Sequence, residues 1–259
     1  MPLPRTDYSQ RLSLCLGLIL FLTFGSHARA ADVRIAVAAN FTDTTRNLIA
    51  AFGEETSLQA EASYGSTGKL YAQIDNGAPF DVFLAADRRR PELLEENGQG
   101  VPGTRFTYAR GKLVLWSPVP DTFDDPKDWL ESGAFARLAI ANPKTAPYGL
   151  AAREVLTEMG LWDSLQSRLV RGDSIAQTFQ FVATTNAQSG FVALSQVRAW
   201  DHKDGSLWLI PQSYYSPINQ QAILLTRSEK NDAARQWLDF LRSDKARRII
   251  EAAGYETEL

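Results

Sequence analysis

Residues 80–86, Phe-Asp-Val-Phe-Leu-Ala-Ala, are apolar at every position except Asp81 near the leading edge. A run without polar alternation has no face to give to water, so as a strand it must be covered on both sides. The segments around it supply the covers. Residues 33–39 read as a strand, alternating and β-branched early. Residues 41–54 place Phe41, Thr44, Leu48, Ala51 and Phe52 at helical spacing. Residues 58–63 read as a second strand and 70–76 as a second helix. After 80–86, Asp87 starts a turn and Pro91 sits in the first turn of a third helix that runs to Asn97 and ends at Gly98. Strand and helix alternate three times, the pattern of a doubly wound α/β sheet.

The second half repeats the alternation less regularly. Residues 112–117 read as a strand, and Pro118, Pro120 and the Asp-rich 121–128 as a loop. Residues 138–141 form a short strand ended by Asn142-Pro143, and a helix over 150–159 is closed by Gly160. Leu169-Val170 is a short strand, followed by a helix from about Ile175 whose apolar face continues through Phe179 and Val182. Strands are expected over 190–195, 207–210 and 220–226, with a loop over 211–217. Helices over 232–241 and 243–253 pack on Trp237 and Phe240 and on Ile249 and Ile250, and Gly254 ends the second. There is no sequence repeat and no low-complexity tract.

Four strand-to-helix junctions carry the chemistry. The first is Asn40, a strand end and an expected N-cap. The second is Tyr64-Gly65-Ser66-Thr67-Gly68-Lys69-Leu70-Tyr71, where two glycines allow a sharp bend and Ser66 or Thr67 could cap the helix. The third is Ala146-Pro147-Tyr148-Gly149, which brings a phenol to a helix start. At the fourth, Asp173 or Ser174 can cap the helix that begins near Ile175. Helix starts leave unpaired N–H groups and partial positive charge, so each is a small anion socket. An ordinary capped helix explains any one of them. Several on one α/β edge are more informative, because ligands of open α/β sheets bind at the carboxyl ends of the strands. The glycine-rich stretch is not a phosphate-binding P-loop, since Ser63 and Leu70 stand where that motif needs Gly and Ser or Thr. Nor is it a nucleophile elbow, since Gly65-Ser66-Thr67-Gly68 is one residue short.

Residues 1–30 read as a cleavable export signal. Arg5 and Arg11 precede an apolar run over 12–24, and Ala28-Arg29-Ala30 places the cut between Ala30 and Ala31. The run is short for a membrane span. Cys15 lies inside it without a lipoprotein box. These features predict a soluble periplasmic protein. Residues 1–30 carry three arginines against one aspartate, so their loss takes the net charge from −3 to −5. An acidic chain is a poor nucleic-acid binder, and an anion would have to be held by local dipoles. Cys15 and His27 leave with the signal. The mature chain then has no thiol and one histidine, His202, in a charged turn where a solvated role is expected. That excludes disulfides and a multi-histidine zinc site.

Motifs along the whole mature chain resemble one family. They are Val37-Ala38-Ala39-Asn40-Phe41, Tyr64-Gly65-Ser66-Thr67-Gly68-Lys69-Leu70, the run from Asn76-Gly77-Ala78-Pro79 through 80–86 to Asp87, the run 105–117, and Asn142-Pro143-Lys144-Thr145-Ala146-Pro147-Tyr148-Gly149-Leu150-Ala151. Gly190-Phe191-Val192-Ala193-Leu194 and Ala252-Ala253-Gly254-Tyr255 complete the set. Together they are similar to the periplasmic molybdate-binding proteins of ABC importers, the ModA family. The resemblance implies a two-lobed type II periplasmic binding protein fold, each lobe a doubly wound sheet flanked by helices. Lobe one would hold 32–110 and 218–259, and lobe two 111–217. It implies oxyanion contacts at Ala39, Asn40, Thr67, Tyr148 and Ile175, with Ser66 an additional candidate. Ala39 and Ile175 could offer only backbone N–H groups. Some members carry a hydroxyl at the position of Ala39 and others a Tyr at that of Ala193; both donors are missing here.

The implied function is capture of molybdate, with tungstate alongside it, and delivery to the membrane permease. No cofactor, no direct metal ligand and no nucleic-acid partner are expected, and the protein is expected to be a monomer. Molybdate and tungstate are proton-free dianions that only accept hydrogen bonds. A site built of donors would reject phosphate, whose proton would meet nothing to receive it, and would reject sulfate by size. Lys69 is expected to point outward into solvent. The alternatives are a binder of sulfate, phosphate or a small organic acid on the same fold, and a secreted enzyme using an acid pair such as Asp81 and Asp87.

Overall fold

The structure is a computed structural model that describes residues 31–201 and 204–257. The export segment and His202 lie outside the described residues. Two five-stranded sheets organise the chain. The first holds β1 (Val33–Ala38), β2 (Ala60–Gly65), β3 (Val82–Ala85), β4 (Phe106–Gly111) and β10 (Ile218–Leu224), in the order β2-β1-β3-β10-β4. The second holds β5 (Leu113–Ser117), β6 (Leu138–Ala141), β7 (Leu169–Gly172), β8 (Ser189–Ala193) and β9 (Ser206–Leu209), in the order β7-β6-β8-β5-β9. In each, three parallel strands carry the βα crossovers and the remaining neighbours run antiparallel. This is the two-lobed type II binding-protein architecture. The chain passes from the first sheet to the second between Gly111 and Leu113 and returns between Leu209 and Ile218.

The first sheet is covered by α1 (Thr42–Thr56), α8 (Asp232–Leu241) and α9 (Asp244–Ala252) on one face. On the other lie α2 (Thr67–Asp75) and α3 (Arg89–Glu96). All four residues of β3 are buried, so the apolar run does sit between two helical layers. The second sheet packs α4 (Pro126–Ser132) and α5 (Pro147–Glu158) into one core and α6 (Ile175–Ala183) into another. There Trp116 stacks on Phe179 at 4.9 Å. Among the described residues no helix is long and apolar enough to cross a membrane.

Three segments differ from expectation. Residues 121–128 are not wholly loop. Asp125 caps α4, its Oδ1 accepting from the N–H groups of Lys127 (2.8 Å) and Asp128 (3.0 Å), with Pro126 at the first helical position. Seven residues are too few for periodicity to show. The strand expected over 190–195 ends at Ala193, and α7 (Leu194–Arg198) begins at once. Strand β4 was not anticipated as an element, because Thr107 and Arg110 interrupt its apolar residues.

Candidate functional site

β1, β2 and β3 run parallel, so their carboxyl ends share one edge of the first sheet. β6, β7 and β8 do the same in the second. The two edges meet. The N–H of Gly68, in the first turn of α2, donates to the carbonyl of Thr145 just before α5, at 2.8 Å. The Ser195 hydroxyl, in α7, donates to the carbonyl of Asn40 at 3.1 Å. All four junctions therefore converge between the sheets. Ala39, Tyr148 and Ile175 belong to a single buried cluster that also takes in Ala86 and Ala146. Ala39, Asn40, Ser66, Thr67, Tyr148 and Ile175 are each no more than 6% exposed.

Local sequence sets each junction. After β1, residues Ala39–Phe41 form a single 3-10 turn before α1. Asn40 is therefore not the N-cap expected of it: α1 starts after Phe41 and has no side-chain cap. Both hydrogens of the Asn40 amide are used inside the protein, donated to Gln220 Oε1 (2.8 Å) and to the Tyr255 hydroxyl (3.0 Å). What Asn40 can offer a ligand is thus its backbone N–H. Ser66 does occupy the N-cap position of α2, but neither it nor Thr67 caps the helix through its side chain. Thr67 Oγ1 instead accepts from the N–H of Ala86 at 3.1 Å, which leaves its own hydrogen free to donate. Ser174 caps α6 as expected, accepting from the N–H of Gln177 at 3.3 Å.

Buried donors without acceptors gather in this region. Ser66 Oγ, Tyr148 Oη and Gln220 Nε2 are buried and have no hydrogen-bond partner. Buried polar groups are normally paired, and an orphaned one costs about 1–3 kcal/mol. Burial pushes the Tyr148 phenol well above its ordinary pKa, with the phenols of Tyr255, Tyr215 and Tyr108 adding in the same direction. Burial likewise raises Tyr255 and Tyr108. These hydroxyls stay protonated and remain donors.

The cation nearest this cluster is Arg90, whose guanidinium stands beside Gly68, donates to the Lys144 carbonyl at 3.2 Å and is paired with Asp87. Lys69 is half-exposed, as expected, but it is not free: its Nζ pairs with Asp173 of the second lobe at 2.9 Å. Beside Ala39 a cleft of about 270 Å³ opens to solvent, lined in part by Thr42, Arg46, Gln180, Gln196 and Trp200. The Arg46 guanidinium is paired with Asp43 at 2.7 Å. The acid pair of the enzymatic alternative does not assemble. Asp81 and Asp87 flank opposite ends of β3 and are engaged separately, Asp81 by Ser228 and the Arg34 N–H, Asp87 by Arg90. Among the described residues no group of three or more His, Cys, Asp or Glu could hold a metal ion.

Sequence reading missed Gln220, Tyr255, Ser195 and Tyr108. The signal for Gln220 was present: Asn219-Gln220-Gln221 interrupts the apolar residues of the strand, and both glutamines are buried. Tyr255 stood in a motif of the family resemblance, but nothing local marked its hydroxyl for the site, because a lone aromatic after a helix usually serves packing.

Residues 33–256 match the family model described as bacterial extracellular solute-binding protein. The chain is 52% identical to the molybdate-binding protein ModA of Azotobacter vinelandii, over 88% of this chain and 91% of that one. It is 46% identical to ModA of Rhodobacter capsulatus, over 95% and 94%. Among solved structures, the periplasmic molybdate-binding protein of Azotobacter vinelandii superposes with a TM-score of 0.84 at 42% identity, covering 88% of this chain and all of that one. A match of this extent to a family model, with relatives this similar over nearly the full length, leads to one assignment: the chain belongs to the ModA family of bacterial extracellular solute-binding proteins.

Proposed function

We propose that the protein captures molybdate, and tungstate with it, in the periplasm and delivers it to the membrane permease of an ABC importer. One observation carries the reading: buried donors with no acceptor collect where helices of both lobes begin, and no unpaired cation stands among them. A proton-free dianion is the ligand such a set fits. The first-turn N–H groups at Ala39, Asn40, Thr67 and Ile175 have no partner within their own helices. The hydroxyls of Ser66, Thr67 and Tyr148 add side-chain donors. Hydrogen bonds to a charged acceptor contribute about 1.5–3 kcal/mol each. A micromolar site needs about 8 kcal/mol, so half a dozen suffice even after the cost of ordering two lobes.

The same chemistry sets selectivity. Phosphate keeps a proton near neutral pH and would point it at a donor. Sulfate is proton-free but smaller, and would not reach donors of both lobes at once. The processed protein begins at Ala31, acts as a monomer and needs no cofactor. Calorimetry of the processed protein with molybdate, tungstate, sulfate and phosphate tests the assignment. Tight binding of the first two is expected. Tight sulfate binding without molybdate binding would defeat it.

A further inference from the structure

Gln220 lies at the centre of the convergence and has no role in the donor set above. It is fully buried on β10, the strand that returns the chain to the first sheet. A β-bulge falls between Gln220 and Gln221. Bulges re-aim side chains and are common beside functional sites. Here consecutive glutamines go separate ways. Gln221 meets Arg105 (3.0 Å) and Thr107 (3.1 Å), while Gln220 turns to the junctions.

The Gln220 amide has a defined polarity. Its Oε1 accepts from Asn40 Nδ2 at 2.8 Å and from the Tyr108 hydroxyl at 3.3 Å. Its Nε2 is therefore on the other side, and it has no partner. The unpartnered Tyr148 hydroxyl lies on that side. Both atoms crowd the same spot above Gly111: a Cβ there would overlap the Tyr148 oxygen and stand 3.2 Å from Gln220 Nε2. Only a glycine leaves room for the two to approach.

We propose that Gln220 is a positioning residue for the ligand site: its Nε2 and the Tyr148 oxygen are both without a partner in this structure, and on ligand binding the first closes on the second and turns the phenol hydrogen toward the bound oxyanion. A phenol has one hydrogen to donate and can accept at its oxygen. A donor facing that oxygen leaves the hydrogen only one useful direction, and accepting a bond strengthens the donation. The inference rests on the proposed role of Tyr148.

The test is a double-mutant cycle by calorimetry with molybdate, using the processed protein, Gln220→Met, Tyr148→Phe and the pair. Loss of one hydrogen bond to a charged ligand is expected to weaken binding about tenfold in each single variant. If Gln220 acts through Tyr148, the double variant is weakened at least about threefold less than the product of the two single effects, even though Gln220→Met also removes the acceptor of the Asn40 amide. A double variant weakened by the product of the two single effects, or Gln220→Met binding like the parent, overturns the inference. Should Gln220→Met not fold, Gln220→Glu keeps the shape and replaces the Nε2 donor by an acceptor. If it draws the phenol hydrogen away from the ligand, Gln220→Glu weakens binding more beside Tyr148 than in the Tyr148→Phe background, and equal weakening in both, which the added charge alone would cause, overturns the inference. Absence of molybdate binding by the parent protein would instead defeat the ligand assignment, and this inference with it.

Discussion

Replacing Thr67 by Val removes one oxygen with two distinct jobs. The side chain is 1% exposed, and Val nearly conserves its volume. The first job is internal: Oγ1 accepts from the N–H of Ala86 at 3.1 Å, and Ala86 is itself buried. Without it that N–H is orphaned, at a cost of about 1–3 kcal/mol. For a chain of this size that lowers the melting temperature of the ligand-free protein by about 2–12 °C. The second job is toward the ligand. The Ala86 bond occupies the oxygen as an acceptor and leaves its hydrogen for the oxyanion. Losing a hydrogen bond to a charged group costs about 1.5–3 kcal/mol, or roughly 10- to 150-fold in affinity. Thermal melts without ligand and calorimetry with molybdate read the two separately. A variant that melts lower yet binds within about twofold of the parent would refute the reasoning, because the hydroxyl would then serve the fold alone.

Ser66→Ala gives the contrasting result. Its hydroxyl has no partner in the ligand-free fold, so the melting temperature should hold or rise while molybdate affinity falls about tenfold. A lower melting temperature with unchanged affinity would contradict this. Lys69→Ala breaks an exposed ion pair between the lobes, where such pairs contribute about 0–1 kcal/mol; affinity should drop no more than about fivefold, and the difference should vanish in high salt. Alkaline stability follows from the buried phenols. Tyr108, Tyr148 and Tyr255 have folded pKa values raised above the unfolded value of about 10, so their contribution is complete below about pH 10 and is lost as pH rises through the folded values. Their phenolate absorbance should appear only with unfolding, beyond what partly exposed tyrosines such as Tyr64 contribute in the intact fold; full phenolate absorbance from the intact fold would contradict the burial.

Much of the fold was legible because it is written in local periodicity. The all-apolar run at β3 demanded two covering layers and has them. The helix expected from about Ile175 starts there, while those expected from Leu70 and Leu150 start three residues earlier, at Thr67 and Pro147, inside the turns that precede the apolar spacing. Short elements were not legible. α4 is seven residues long, and its Asp-Pro start reads equally as a loop. Asn40 was rightly marked as a special strand end, but its expected capping role depended on a side-chain direction that local sequence does not set. Two residues more than 170 positions away, Gln220 and Tyr255, claim its amide.

By itself, then, the sequence determined the class of fold, the places where helices begin and the types of donor found there, since backbone sterics and hydrophobic period act over neighbouring residues. Only the tertiary structure decided which donors are already spent and which are left over. Hydrogen-bond partners such as Thr67 with Ala86, or Asn40 with Gln220, are chosen by which strands lie side by side in the first sheet, and the place of β10 next to β3 brings together residues from opposite ends of the chain.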